Sequence, residues 1–456
     1  MAFASVGSRG STSAKVSGAT LAMSPTATVP AGALLGVWAA WDNNNGVSAD
    51  GPLSAQLMAS DSVGNVYVIA YSGQDIGAET RAHGAIFLCL ADTAITTSDT
   101  ITVTNGTSAK VAKAMSLWEF SIGANKVWAT NALGPAQALT RAADPAAVTL
   151  GGMTSQEYLL LHVLAAEGPS TDAYTWDADY TQITSAGTTG GADDTNMTVS
   201  GGFRIATLTT DTVDVTSDTA DRDYTQGLIA LAEVDYDPAF PTFSILDNFN
   251  RADENPLDNG TWDATACNAA ASTARKLKIV SNQCAEADAG ASNNGGQWWL
   301  SELTTNDAEV FVTLATEPSA ATNNGFGPIL HGDGCGGAGT RTGFQARWVK
   351  RDTGASAFDY IVHGHAGFAG PTGHCLVIRN MAAGVKLGLQ KRGSALHCWF
   401  DIGAGWQWTA ASYVEANNWI EGKLGLEMQG DAGRCDDFGG GASQTLAPQI
   451  YRREQE

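Results

Sequence analysis

The chain has 456 residues, long enough for two or three domains, and carries 47 Asp and Glu against 25 Lys and Arg, a formal net charge of -22. That balance repels nucleic-acid phosphates and anionic membranes, so neither is expected as a direct partner. Charged residues make up only 16% while glycine is abundant, the profile of short strands and tight turns more than of charge-laced helices.

Met1 to Gly10 has no basic stretch followed by an apolar run, so no secretory signal is expected there. Residues 1–15, rich in Gly, Ser and Ala, read as a flexible or docking N-terminal arm. Residues 16–235 read as an N-terminal β-sandwich. Leu34 to Trp41, Val66 to Tyr71, Ala85 to Leu90, Thr100 to Thr104, Met115 to Phe120, Tyr158 to Leu164, Phe203 to Leu208 and Leu228 to Val234 are short apolar or alternating runs bounded by Gly, Asp, Asn or Pro. Asp61-Ser62-Val63-Gly64-Asn65 carries its own turn chemistry, because Gly and Asn tolerate left-handed backbone. No segment keeps an i, i+3, i+4, i+7 apolar stripe for three turns, so few helices are expected. No apolar run is long enough to cross a bilayer, and no membrane insertion is expected.

Residues 236–242, with Pro238 and Pro241 among acids, suit neither a helix interior nor a central strand and read as a linker. Strands are expected next at Leu277 to Val280, Ala308 to Leu314, Gly327 to His331, Gly343 to Val349, Asp359 to Val362, Cys375 to Arg379, Val385 to Lys391, Ala395 to Asp401, Trp406 to Trp408 and Lys423 to Met428. Two acidic-aromatic segments bracket them: Asp247 to Asp253, leading through Pro256 to Trp262, and Asp436-Asp437-Phe438. In a closed sandwich the first and last strands often pair, which makes Phe249 and Phe438 the expected buried anchors. Residues 243–440 are the second module, and 441–456 a C-terminal tail.

The bracketed module resembles the concanavalin A-like, laminin-G-like jelly-roll domains of bacteriophage tail and virion proteins. The resemblance rests on Asp247, Phe249, Asn250, Arg251, Asp253, Pro256 and Trp262, on the interior strand Asn306-Asp307-Ala308-Glu309-Val310, and on the closing Asp436 to Phe438. The first module, through Val29 to Leu35, Asp61 to Tyr67 and Asp99 to Thr104, looks like a β-sandwich common in phage minor tail proteins and some bacterial surface proteins. The fold expected is all-β, two tandem β-sandwich domains with a C-terminal jelly roll. The resemblance implies a virion protein made in the host cytoplasm, a tail, fibre or head-surface component. Its partners would be other virion proteins, further copies of itself and a host-surface glycan. A secreted bacterial glycan-binding adhesin or glycoside hydrolase is the alternative.

Retaining glycosidases need two carboxylates about 5 to 5.5 Å apart, and the nearest approach here, Glu286-Ala287-Asp288, has no third acid in register. No nucleophile elbow and no zinc-binding His-Glu-x-x-His occurs, so no catalytic residue is assigned and the protein is expected not to be an enzyme. Gly332 to Gly337 matches a dinucleotide-loop string but opens no helix and reads as a sheet connection. His363-Gly364-His365 and His374 read as turn or rim residues, with no carboxylate at matching spacing for a metal. Trp406 and Trp408 alternate on one strand face near Trp399 and Tyr413, and these four are the candidate glycan-stacking residues, with core packing as the other reading. Asp247 and Asp437 are the candidate metal ligands, turn capping being the alternative; a structural calcium ion is the one cofactor they would imply. Six of seven cysteines fall in the second half. Cys267 and Cys284 are the first pair to test for a disulfide, against six reduced, partly buried thiols.

Overall fold

The structure, a computed structural model, describes residues 3–42, 57–74, 82–105, 110–124, 126–131, 136–142, 145–218, 222–235, 240–257, 260–263, 277–286, 294–303, 305, 307–317, 324–333, 342–350, 358–366, 372–373, 377–379, 383–392, 395–403, 405–414, 422–429 and 433–442. Among these the chain is all β, with a single 3-10 turn at Asp193–Thr195.

The N-terminal module is a stack of β layers. A five-stranded sheet runs in the order Ala4–Gly18, Lys110–Ser121, Leu34–Asp42, Ala82–Leu90, Val68–Gln74. One face packs on a three-stranded sheet (Thr20–Met23, Ile101–Asn105, Leu57–Asp61), burying Leu35, Val37, Phe87 and Met115. The other packs on Met197–Leu208, Gln156–Glu167 and Arg222–Asp235 of a second, longer sheet, burying Trp38, Ile86, Leu161 and Ile229. The far side of those strands is covered by two short ribbons, Val148–Leu150 with Asp211–Val213 and Tyr174–Trp176 with Val215–Ser217, over Leu160, Leu164 and Tyr224. Both central sheets are therefore buried on both faces, which is why Leu34 to Trp41 and, but for His162, Tyr158 to Ala166 read as apolar runs and not as alternation.

In place of the flexible or docking arm expected for residues 1–15, Ala4–Gly18 form an antiparallel edge strand on Lys110–Ser121. Its Ser, Gly and Ala side chains bury little, and side-chain bonds help fix it. Lys113 Nζ donates to the carbonyls of Val16 and Gly18 at 2.7 and 2.8 Å, and Lys15 Nζ to Thr195 Oγ1 and Asn196 Oδ1. The Asp61 turn forms as its residues dictate, with the carboxylate accepting the backbone N–H groups of Val63, Gly64 and Asn65.

In the second module, Leu277–Val280, Gln283–Glu286, Arg434–Ala442, Ala308–Thr316, Lys386–Arg392, Ala395–Asp401 and Gln407–Val414 form one layer. It faces a seven-stranded sheet built from Asn294–Leu303, Gly422–Gln429, Asn324–Asp333, Thr342–Lys350, Phe358–Ala366, Thr372–Gly373 and Val377–Arg379. Between them lie Phe249, Trp262, Val310, Val312, Leu426 and Phe438. The first layer continues the long sheet of the N-terminal module: Lys126–Asn131 pairs in parallel with Gln407–Val414, matching Ala129 with Ser412, Thr130 with Tyr413 and Asn131 with Val414. One fifteen-stranded sheet thus runs through both modules. Of the expected tail, residues 441–456, Gly441 and Ala442 end the strand Arg434–Ala442, and 443–456 lie outside the described residues.

Candidate functional site

The two acidic-aromatic segments meet as expected. Ile245–Asp247 pairs with Arg434–Ala442, setting Asp247 opposite Phe438, and Phe249 and Phe438 are fully buried. Asp247 Oδ1 accepts the Phe249 backbone N–H at 2.8 Å and Arg251 Nη1 at 2.7 Å, while Oδ2 accepts the Trp262 indole N–H at 2.8 Å. Arg251 Nε also donates to Glu254 Oε2 at 3.2 Å. The rings of Phe249 and Phe438 flank Trp262 at 5.9 and 4.9 Å. The motif residues act as a polar clamp beneath an aromatic cluster.

This arrangement does not fit the expected calcium ion. A hard cation takes six to eight oxygen ligands, and both Asp247 oxygens already accept N–H donors, one of them from a guanidinium. Asp437 has left-handed backbone (φ 48°) and accepts from Thr313 Oγ1 at 3.5 Å. Beside them, burial holds the Asp436 carboxyl above its ordinary value, the backbone N–H of Asp437 lowers it in part, and the charges of Asp437 and Asp247 raise it further. Among the described residues no group of three or more His, Cys, Asp or Glu is placed to hold a metal.

The aromatic residues expected to stack on sugars gather where the modules meet. Phe240 lies flat on Trp399, centroids 5.1 Å apart and planes at 8°, and meets Trp406 edge-on at 4.8 Å; Phe311 completes the group at 5.9 Å from Trp406. Trp408 packs edge-on to Trp128 of the first module at 6.3 Å. Trp399 is 2% and Trp408 8% exposed, so neither offers a ring face to solvent, while Trp406 is half-buried. Tyr413 occupies the junction register, opposite Thr130 on one side and Leu396 on the other. Gly388 makes room for this packing, since a Cβ there would come within 2.3 Å of the Phe240 ring. The chain entering the second module is fixed by Glu309, whose Oε1 accepts the backbone N–H groups of Thr242 and Phe243 and the Thr242 hydroxyl, while Arg392 reaches its Oε2.

A second polar and aromatic grouping lies on the outer face of the seven-stranded sheet. In Gly422–Gln429, Leu424, Leu426 and Met428 enter the core, so Lys423, Gly425 and Glu427 fall on the outer face. Glu427, 1% exposed, is flanked in register by Gly296 and Gly327; Gly425 is flanked by Trp298 and Ile329, which form a separate small apolar cluster. The Trp298 ring covers Gly425, where a Cβ would meet it at 2.3 Å. Because Ala346 is an inner residue, Gln345 and Arg347 take outer-face positions, and the register sets Gln345 opposite Ile329 and His363 opposite Gln345. His363 and His365, expected at a turn or rim, lie within the strand Phe358–Ala366 and share that face. The alternation of Lys423 to Met428 signalled the position of Glu427; nothing local separated Trp298 from the core tryptophans.

Of the candidate acids, Glu286 ends the strand Gln283–Glu286 and Asp288 lies outside the described residues, as do His374, Cys375 and Gly334 to Gly337.

No protein-family model matches the sequence, and no curated protein matches it. Among solved structures, a legume lectin-like domain from Entamoeba histolytica aligns with a TM-score of 0.29 at 12% identity, covering 37% of this chain and 87% of that one. The exoplasmic/lumenal domain of VIP36 gives 0.30 at 13% identity in its Ca2+/mannose-bound form, covering 42% and 85% of the two chains. Its Ca2+-bound form gives 0.31 at 12% identity, covering 45% and 92%. These scores are too low to carry an argument about ligand or role; the all-β assignment rests on the strands and registers above.

Proposed function

We propose that the protein is a structural component of a phage virion that contributes to host or glycan attachment by binding and not by catalysis. The observation that carries the structural half is the continuous sheet: the two modules share hydrogen-bonded strands and an aromatic seal, the construction of a load-bearing unit and not of beads on a linker. The particle setting is supported by the resemblance of the Asp247 to Trp262 and Asp436 to Phe438 segments to virion jelly rolls. Weak sites on such a unit combine usefully when several copies act together, so self-association and contacts to other virion proteins belong to the same reading.

The attachment half is assigned to the outer face of the seven-stranded sheet. There the register sets Gln345 opposite His363, with Arg347 two residues on, so residue types able to hydrogen-bond sugar hydroxyls take one face of the sheet, while Trp298 and Glu427, 3% and 1% exposed, belong to the packing beneath it. The test has two arms. Mass spectrometry of intact particles is expected to detect the chain, and its absence there would overturn the virion reading. On a glycan array the full chain is expected to bind, Gln345→Ala and Arg347→Ala to weaken binding about tenfold or more, and Trp406→Ala to leave it unchanged. Loss with Trp406→Ala alone would move the site to the module junction.

A further inference from the structure

We propose that Cys284 and Cys435 are a disulfide-forming pair that closes the second module when the chain folds in an oxidising milieu. The two are direct register partners on neighbouring antiparallel strands, Gln283–Glu286 and Arg434–Ala442, and both belong to the core between the two layers. Residues directly opposite in such a pair have Cβ atoms about 4.5–5.5 Å apart, close to the 3.5–4.5 Å that a disulfide spans. Cys435 Sγ lies 3.9 Å from the Cys284 carbonyl oxygen and 3.7 Å from Met428 Sδ, so this thiol is already turned toward its partner's strand.

Strand spacing removes the other described candidates. Cys398 lies on Ala395–Asp401, three strands away in the same layer, on the order of 14 Å at about 4.8 Å per strand. Cys89 is buried in the first module.

Both thiols are fully buried. Burial, and then the neighbouring Cys284, hold the Cys435 thiol well above its ordinary value, so the folded protein presents little thiolate to a small oxidant. The bond therefore forms during folding. With oxidised glutathione as oxidant, one protein thiolate attacks the glutathione disulfide and releases one glutathione. The second protein thiolate attacks the resulting mixed disulfide and releases the other. Two electrons pass from the protein sulfurs to glutathione, and the two protons end on the released glutathione thiols. The bond ties the second strand pair of the module to its last strand across a long loop, where chain-entropy stabilisation is largest.

The full chain is unfolded under dithiothreitol, refolded in mixed oxidised and reduced glutathione, blocked with iodoacetamide and digested without reduction. The expected product is one peptide pair joining Cys284 to Cys435. With it comes a rise in Tm on the order of 5–10 °C that dithiothreitol reverses and Cys284→Ser abolishes. Where refolding is inefficient, the native protein held with oxidised glutathione just below its Tm gives the same peptide. Alkylation of either thiol after oxidation, or a bond from either to another cysteine such as Cys267, would overturn the proposal.

Discussion

Asp247 illustrates how one carboxylate can define a fold. Its oxygens hold the Phe249 amide, the Arg251 guanidinium and the Trp262 indole, so truncation leaves a buried N–H donor and a half-buried cation without their acceptor. Asp247→Ala is expected to cost about 2–4 kcal/mol in urea unfolding, and a chelator is expected to leave the wild-type Tm unchanged. A large chelator effect would restore a cation to this corner. His162 gives a second prediction. Its Nε2–H donates to Gln226 Oε1 at 3.0 Å, its ring meets Trp176 edge-on at 4.9 Å, and burial pushes its pKa from 6.5 down to about 3, opposed in part by the Gln226 bond. Below pH 6.5 the unfolded chain takes up a proton that the folded one refuses until about pH 3. Stability should therefore fall on acidification across that window, by up to about 1.4 kcal/mol per pH unit from this group. Urea titrations at several pH values should show a shallower dependence in His162→Gln; an unchanged slope would contradict the assignment.

At the scale of elements, Phe240 is the residue on which the module contact turns. It stacks on Trp399, meets Trp406 and fills the space that Gly388 leaves open. Phe240→Ala is expected to destabilise by about 3–5 kcal/mol, with tryptophan fluorescence red-shifted as Trp399 and Trp406 gain water; a blue or unchanged spectrum with no loss of stability would count against the seal. The elements themselves were legible to different degrees. Apolar runs such as Leu34 to Trp41 and Tyr158 to Leu164 announced their strands, because a strand buried on both faces needs no alternation. Ala4–Gly18 did not, since Ser, Gly and Ala carry no periodic signal and the strand is held by its partner and by Lys15 and Lys113. The Asp247 and Asp436 bracket was legible as a pairing because the first and last strands of a closed sandwich often lie side by side and each segment carries a large apolar residue, Phe249 or Phe438, to bury. The fate of Trp399, Trp406 and Trp408 was not. Periodicity places residues on one face, and it cannot say whether that face meets solvent or another domain.

For the whole molecule, continuity decides the mechanics. A chain with two independent sandwiches would let its outer module swing on residues 236–242. Here Lys126–Asn131 and Gln407–Val414 are hydrogen-bonded neighbours, and tryptophans from both sides close over them. The formal net charge of -22 sets like-charge repulsion against nucleic-acid phosphates. Hydrogen–deuterium exchange of the full chain reads this continuity most directly. The amides of Lys126–Asn131 and Gln407–Val414 are predicted to exchange as slowly as those of the core strand Gln156–Glu167. Exchange of both segments at the rate of unpaired, solvated backbone would contradict a single two-module body.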